Sequence, residues 1–593
     1  MPISYKSDKK TPSESLFIKR NGEPPCRSAC PAGVNAAAYV ALISQGRFEE
    51  ALEVIRQRMP FPGICGRICH HPCEAECNRG KYDKPVSIAA LKRAAADYGR
   101  RRSSSQPIIE DMYNHSVAVI GSGPAGLTAA YDLRRKGYKV VVFEKENKPG
   151  GMLRAAIPFY RLPEDVVEQD INDILDVGIE IKVNTEVGRN ITLRELEMYF
   201  DAILIAVGTQ KSVILKLEGI DNERVYWGLD FLRRAKSDYL PSIGDNVLVI
   251  GGGNVAIDVA RTSFRLGAER VTLACLEKRE EMPAHPWEIE AAVEEGLEIL
   301  NCLGPKRIIG NEWGRVVGVE MLKTASVFDE KGKFNPVFIE GSERIIEADT
   351  VIIAVGQTAD LDFLDSVEGI EVSERRLIKV DEITLETGRS GIFACGDVVS
   401  GPKSIVEAVN AGHEAAESIH RYLTGRDLKE GRTAQHPVIQ VPEGIPIYDY
   451  ERQVPQRPEA EVRKEDFREE KYGLTVEQAI AEARRCLNCG NCFICGEECT
   501  IHITGGICPV IRCNKSSVNG PCGGSMEGRC EIDKNEDCGW QLIYDLVKRA
   551  GKIENLKEYI PPKCWSYLEN KYLKNTAASL GSLGSEELLR LSG

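Results

Sequence analysis

Apolar residues recur at helical spacing along residues 35–58, "NAAAYVALISQGRFEEALEVIRQR", with a glycine break inside the run. That pattern predicts a small helical domain near the start of the chain, preceded by a polar, loosely ordered stretch over 1–25. From Arg100 to Ser116 the chain reads "RRRSSSQPIIEDMYNHS", a polar segment with Ser and Pro that marks a linker. The texture then changes. The short β-branched runs "VAVIG" and "KVVVFE" flank a helical pattern, as in a βαβ unit, and the same texture returns at "NVLVIGGG" and "ADTVIIAVG". Residues 426–470 are rich in Pro, Glu and Arg and read as a long surface linker. After them "TVEQAIAEARR" is helical and leads into a run of cysteines, and "WQLIYDLVKRA" gives a last helix.

Composition narrows the class. The 593 residues carry 42% hydrophobic and 28% charged residues, as ordinary globular protein does. A formal charge of −13 argues against a nucleic-acid surface. No apolar run reaches the roughly 18 residues that span a bilayer, and "MPISYKSDKKTPSESLF" has no apolar signal core. A cytoplasmic location is expected. Of 20 cysteines, six fall between Cys26 and Cys77 and ten between Cys486 and Cys538. Thiols clustered in this way in a reducing cytosol are metal ligands rather than disulfides.

Two glycine fingerprints follow predicted strands. In "VAVIGSGPAGLTAAYDLRRKGYKVVVFE", Gly121 permits a tight turn, Gly123 lets the backbone approach a pyrophosphate, and Gly126 lets helix and strand pack closely. The helix N-terminus favours the phosphates, and Glu144, ending the second strand, is placed to accept ribose hydroxyls. In "NVLVIGGGNVAIDVARTSFRLGAERVTLACLEKR", Gly251 and Gly253 match and Ala256 holds the third place. Two nucleotide sites point to a flavin and a nicotinamide. The Gly396–Asp397 turn, far downstream in "GIFACGDVVSGPKSIVEAVNAGHEAAESI", suits a carboxylate bonding a flavin ribitol. The flavin domain is then split, over 111–235 and 345–425, with a nicotinamide domain inserted at 236–344. The expected class is α/β: two Rossmann-like domains flanked by an N-terminal helical iron–sulfur domain (1–110) and, after a linker at 426–474, a ferredoxin-like segment (475–505) and a cysteine-rich C-terminal domain with tail (506–593).

"GSGPAGL", "PGGML..AIPFYRLP", "GGGNVAIDVAR", "REEMPA" and "FACGDV" together resemble the glutamate synthase small subunit and its relatives, over roughly residues 24–425. These are FAD- and NADPH-binding electron-input modules, also present in dihydropyrimidine dehydrogenase and the Nfn transhydrogenases. The resemblance implies hydride transfer between nicotinamide and flavin, with no obligatory acid–base residue, because the cofactors carry the chemistry. It adds Pro124, Ala125, Lys145, Gly151, Met152, Leu153, Asn254, Val255 and Gly356 to the cofactor-binding residues. Relatives that choose NADPH carry two arginines where this chain has Leu276–Glu277. Glu277 favours NADH by bonding a 2′-hydroxyl, whereas Lys278 and Arg279 suit a 2′-phosphate. NADP(H) is the reading adopted, with NAD(H) the alternative.

The first cysteine block, "PPCRSACPAGV" and "ICGRICHHPCEAECNRG", supplies Cys26, Cys30, Cys65, Cys69, Cys73 and Cys77, spacings that suit [4Fe–4S] ligation. In the relatives this domain holds two clusters and begins with a further CxxC, which is absent here. By position Cys30, Cys69 and Cys73 ligate one cluster, Cys26 and Cys77 remain from the other, and Cys65 is a spare for either. His70 and His71 read as exposed. In the second block, Cys489, Cys492, Cys495 and Cys499 have the spacing of half a bacterial ferredoxin, and Cys486 adds a CxxC in front. Zinc is the alternative. The stretch with Cys508, Cys513, Cys522, Cys530 and Cys538 resembles the C-terminal domain of the iron–sulfur subunit associated with methylenetetrahydrofolate reductase, through "NGPCGG", "GRCE" and "DCGW..IY"; iron–sulfur and zinc are both open there. The domain combination resembles the Stn transhydrogenases. It implies a subunit of an electron-bifurcating complex with hydrogenase- or complex I-like flavin and iron–sulfur partners. The alternative is a glutamate synthase small subunit or another NAD(P)H-dependent electron-input subunit.

Overall fold

A computed structural model describes residues 14–17, 22–100, 109–432, 438–439, 450–490 and 499–557, apart from 238, 365, 366, 516, 519 and 535. Cys492, Cys495 and Cys564 lie outside the described residues. The chain divides into two compact units, one from within 1–104, 433–456 and 473–593, the other from 105–432 and 457–472.

The larger unit holds two parallel five-stranded sheets. In the first the order is Ile392–Ala394, Ala202–Ile205, Ser116–Ile120, Lys139–Phe143, Glu180–Lys182. Ala202–Ile205 is buried throughout, as a parallel strand covered on both faces must be. The second sheet runs Val225–Trp227, Thr350–Ile353, Asn246–Ile250, Arg270–Ala274, Glu298–Leu300. Beside it lies an antiparallel sheet of Leu303–Gly310, Val316–Phe328, Phe334–Phe338 and Arg344–Glu347. The first sheet is thus completed by a strand from far downstream, because the second is inserted within it. The insertion is wider than 236–344. Val225–Trp227 and Thr350–Ile353 hydrogen-bond into the second sheet, where Val225, Trp227, Val351 and Ile353 share one apolar core.

The segment 457–472 is not a bare linker. Arg463 and Glu470 are buried in the larger unit, inside an ionic network around the "PFYRLP" motif. Arg261 pairs with Glu295 at 2.6 Å and with Glu470, Arg265 pairs with Glu295 at 2.8 Å, and Arg463 reaches Glu295 at 3.4 Å. The Tyr160 ring lies 3.8 Å from the Arg265 guanidinium and 4.8 Å from that of Arg261. Arg161 pairs with Asp258 at 2.7 Å.

The smaller unit packs short helices: Ala36–Ile43, Phe48–Arg56, Pro62–Ile68, Ile88–Gly99 and Val476–Ala483. Asn35 caps the first through Ala38 N–H at 3.2 Å, and Thr475 and Gln478 form a capping box on the last. Gly66 allows Pro62–Ile68 to lie on Ile88–Gly99, since a Cβ there would stand 2.6 Å from the Arg93 Cα. The first 25 residues are not uniformly loose: Leu16, in the turn Glu14–Phe17, is wholly buried with Leu487. The helix Gly539–Arg549 buries Trp540, Ile543, Leu546 and Val547 together with Ile507. Among the described residues, no helix is long and apolar enough to cross a membrane.

Candidate cofactor and cluster sites

At the carboxyl ends of the first sheet opens a cavity of about 470 Å³, where open α/β sheets place their ligands. Gly121, Gly123, Pro124, Ala125, Glu144, Lys145, Gly151, Met152, Leu153, Gly396 and Asp397 all line it, as the two halves of a split site require. Gly123 caps the helix Pro124–Arg135, and a Cβ on it would meet nothing within 4 Å. The backbone there is open to a close-lying phosphate. Gly126 stands behind the wall: a Cβ would collide with the Gly121 carbonyl oxygen. Gly151, at φ 54°, brings a second glycine backbone to within 3.0 Å of Gly123 Cα, measured from a Cβ built on it. Gly356 is not in the cavity wall; its carbonyl accepts from Val213 N–H at 3.1 Å.

Ser122 is a site residue that pattern reasoning passed over. Its N–H donates to Glu144 at 3.0 Å, its hydroxyl donates to the same carboxylate, and the hydroxyl oxygen accepts from Gly150 N–H at 3.1 Å. The serine between the fingerprint glycines was the available signal. Asp397 is largely buried, and burial pushes its carboxyl up to about 6 despite the 3.3 Å hydrogen bond from Lys403 N–H.

The second fingerprint repeats the plan. Gly253 caps Asn254–Arg265, and Glu277 approaches the middle glycine, with its Oε2 2.7 Å from a Cβ built on Gly252. Asn254 Oδ1 accepts from His285 N–H at 3.0 Å, and Val255 packs on the core beside the strands. Lys278 Nζ stands 3.4 Å from Glu281, and Arg279 lies against Met282. The carboxylate therefore occupies the place that Glu144 occupies in the first site, with the two basic side chains beyond it.

The thiols fall into sets that linear spacing does not reveal. Lys92 is buried, which alone would lower it, but the Cys69, Cys65, Cys30 and Cys73 sulfurs around it raise it above the usual lysine range. Cys26, Cys77, Cys486 and Cys489 line a different pocket of the same unit. Cys499 neighbours Cys508, which burial pushes up to about 12; Cys492 and Cys495, the middle of the quartet read along the chain, lie outside the described residues. Cys513 and Cys538 pack against the C-terminal core, Cys530 accepts from Asn514 Nδ2 at 3.4 Å, and Cys522 is exposed. His70 and His71 are partly buried rather than exposed; His71 N–H donates to Cys69 Sγ at 3.4 Å. Among the described residues, no three His, Cys, Asp or Glu side chains meet as ligands of one metal ion.

Residues 115–412 match the model for "Pyridine nucleotide-disulphide oxidoreductase", half of the chain. The chain belongs to this family. Residues 18–104 match "Dihydroprymidine dehydrogenase domain II, 4Fe-4S cluster", and 470–566 match "Methylene-tetrahydrofolate reductase C terminal". Among curated proteins it is 39% identical to the NADP(+)-dependent formate dehydrogenase subunit beta of Moorella thermoacetica, over 81% of this chain and 72% of that one. It is 36% identical to the NAD-dependent dihydropyrimidine dehydrogenase subunit PreT of Escherichia coli K12, over 68% and 91%. It is 34% identical to the glutamate synthase [NADPH] small chain of Azospirillum brasilense, over 71% and 90%. The family member described here is thus an NAD(P)H-dependent flavin and iron–sulfur electron-transfer oxidoreductase of the glutamate synthase small-subunit type, binding FAD, NAD(P)H and [4Fe–4S].

Proposed function

We propose that this chain is the NADP(H)-linked subunit of a cytoplasmic multi-subunit redox complex of the electron-bifurcating transhydrogenase type. The observation that carries the reading is the cavity built from both halves of the split flavin domain, in one chain with two sets of clustered thiols. FAD, when bound, accepts hydride in pairs of electrons and releases single electrons. Around it the residues bind and orient. Gly123 and the N-terminus of Pro124–Arg135 take the pyrophosphate, Glu144 the ribose, and Asp397 the ribitol. Gly251, Gly253, Asn254 and Val255 take the nicotinamide dinucleotide, with Lys278 and Arg279 at the 2′-phosphate. Cys30, Cys65, Cys69 and Cys73 hold one cluster beside Lys92.

A second reading, an electron-input subunit for another oxidoreductase, is favoured by the formate dehydrogenase, dihydropyrimidine dehydrogenase and glutamate synthase names of its relatives. Anaerobic isolation of the native complex separates the two. Co-purified hydrogenase- or complex I-like flavin subunits, and ferredoxin reduction by NADPH only when NAD is present, support the first; a formate, pyrimidine or glutamate-forming partner supports the second. A flavin that neither nicotinamide reduces, or a preparation without iron, overturns both.

Asp397 makes a pH prediction. A ribitol hydroxyl donating to it favours the ionised carboxylate, so the ligand competes with a proton. FAD affinity for apoprotein should fall as pH drops below about 6, roughly tenfold per unit, and stay level above. Asp397→Asn should remove the slope. Flavin fluorescence titrations across this range check it; an equal slope in the variant defeats the assignment.

A further inference from the structure

Lys92 stands among Cys30, Cys65, Cys69 and Cys73, which leaves Cys26 and Cys77 as the two cysteines of the first block outside that set. In the folded chain two sulfurs from about four hundred residues away stand beside them: Cys26, Cys77, Cys486 and Cys489 line one pocket with Pro24, Ala36 and Val40. The Cys26 sulfur has those of Cys486, Cys489, Cys73 and Cys77 near it, and Cys486 has those of Cys489 and Cys77. All four cysteines lining the pocket are half-buried.

The two segments are held together on both sides of that pocket. Arg485, wholly buried beside Cys486, donates to Pro85 O at 3.1 Å, Lys84 O at 2.6 Å and Asp83 Oδ1 at 3.0 Å. Arg79, two residues after Cys77, donates to Arg485 O at 3.1 Å and pairs with Asp83 at 2.6 Å. On the other side Gly490 follows Cys489, and a Cβ there would stand 3.0 Å from Pro24 N. Only glycine lets the backbone come so close to the turn that carries Cys26. Cys486 also repeats a local geometry of the first block. Asn488, at φ 51°, donates its N–H to Cys486 Sγ at 3.4 Å, as His71, at φ 43°, does to Cys69. Hydrogen bonds of this kind tune iron–sulfur ligands.

We infer that Cys26, Cys77, Cys486 and Cys489 together ligate a second [4Fe–4S] cluster, built across the two ends of the chain. The inference rests on the iron–sulfur reading of this subunit. Four thiolates satisfy a four-iron cube with each sulfur on its own iron, so they need not converge on one ion. Cys486–Cys489 then belongs with the N-terminal helices and not to a ferredoxin half, and the two segments that carry the ligands cannot be separated without losing the cluster.

The test uses the full chain, anaerobically purified, with iron, acid-labile sulfide and FAD counted and the dithionite-reduced protein examined by electron paramagnetic resonance. The paired variants Cys26→Ser/Cys77→Ser and Cys486→Ser/Cys489→Ser should each lose about four irons per FAD and the same resonance, and the quadruple variant should lose no more. In wild type, native alkylation should find these four cysteines protected together and exposed together when the clusters are removed. Should the variants fail to fold, that labelling pattern decides alone. Additive losses, different resonances, zinc in place of iron, or early labelling of one pair without the other overturns the inference. A wild-type protein with no iron at all overturns the functional reading instead.

Discussion

Replacing Glu295 by Ala should destabilise the nucleotide-binding unit by about 3–5 kcal/mol, the cost of stripping the counter-ion from a buried ionic cluster. Glu295 and its partners Arg261 and Arg265 have fully buried side chains, and Arg463 points at the same carboxylate. Its removal leaves guanidinium charge in a dry place with no water to take it up. Burial by itself would raise the Glu295 carboxyl, but hydrogen bonds from Arg261 and Arg265 win and hold it at about 2, below its ordinary 4.5. A depressed carboxyl contributes stability that is complete above its unfolded value and lost as pH falls through the folded one. The wild type should therefore lose this contribution between about 4.5 and about 2, and Glu295→Ala should lack that part of the acid transition. Urea midpoints followed by flavin release measure both effects. A change under 1 kcal/mol would mean the arginines find other partners. The loop Pro158–Pro163 is tied into the cluster through Tyr160 and follows Ile157, which lines the cavity, so the variant should also hold FAD less tightly.

Gly126→Ala is expected to cost both stability and flavin. The new methyl collides with the Gly121 carbonyl oxygen and stands 3.2 Å from Val119 Cγ1, so the helix Pro124–Arg135 must lift from the strand. Overpacking of this kind costs about 1–3 kcal/mol, and the lifted helix moves its N–H groups off the phosphates, for a fall in FAD affinity of roughly tenfold or more. Gly123→Ala is the matched comparison. Its φ of −71° suits alanine, and its Cβ meets no protein atom within 4 Å. It should leave the apoprotein's urea midpoint unchanged and still weaken FAD, because the methyl enters the space of the ligand. Equal effects of the two variants on apoprotein stability would sink the division of roles.

Local rules carried much of this protein. The strand, glycine turn and helix of each fingerprint, and the placing of Glu144 and Glu277 beside those glycines, were legible because each depends on residues near in sequence; the Gly396–Asp397 turn, which lines the same cavity as Gly121 and Glu144, was legible from its own local motif. The limits of the inserted unit were less so. Val225–Trp227 and Thr350–Ile353 are short apolar strands that fit either sheet by pattern, and only hydrogen-bonding partners assign them. Residues 457–472 look polar because Arg463 and Glu470 are charged, yet both are buried, and no linear signal shows that their partners Arg261 and Glu295 lie on a distant helix and its neighbour.

The cysteines show the same boundary most clearly. Their clustering in two blocks was the signal in the sequence that they are metal ligands in expectation rather than disulfides. Spacing then grouped Cys489 with Cys492, Cys495 and Cys499, because ligands close in sequence are the only ones a linear reading can pair. A cluster, however, is bound by thiolates close in space. The tertiary structure decided that Cys486 and Cys489 stand with Cys26 and Cys77, since buried Arg79 and Arg485 bond the two ends of the chain together there. Sequence determines which side chains can do the chemistry; long-range packing determines which of them meet.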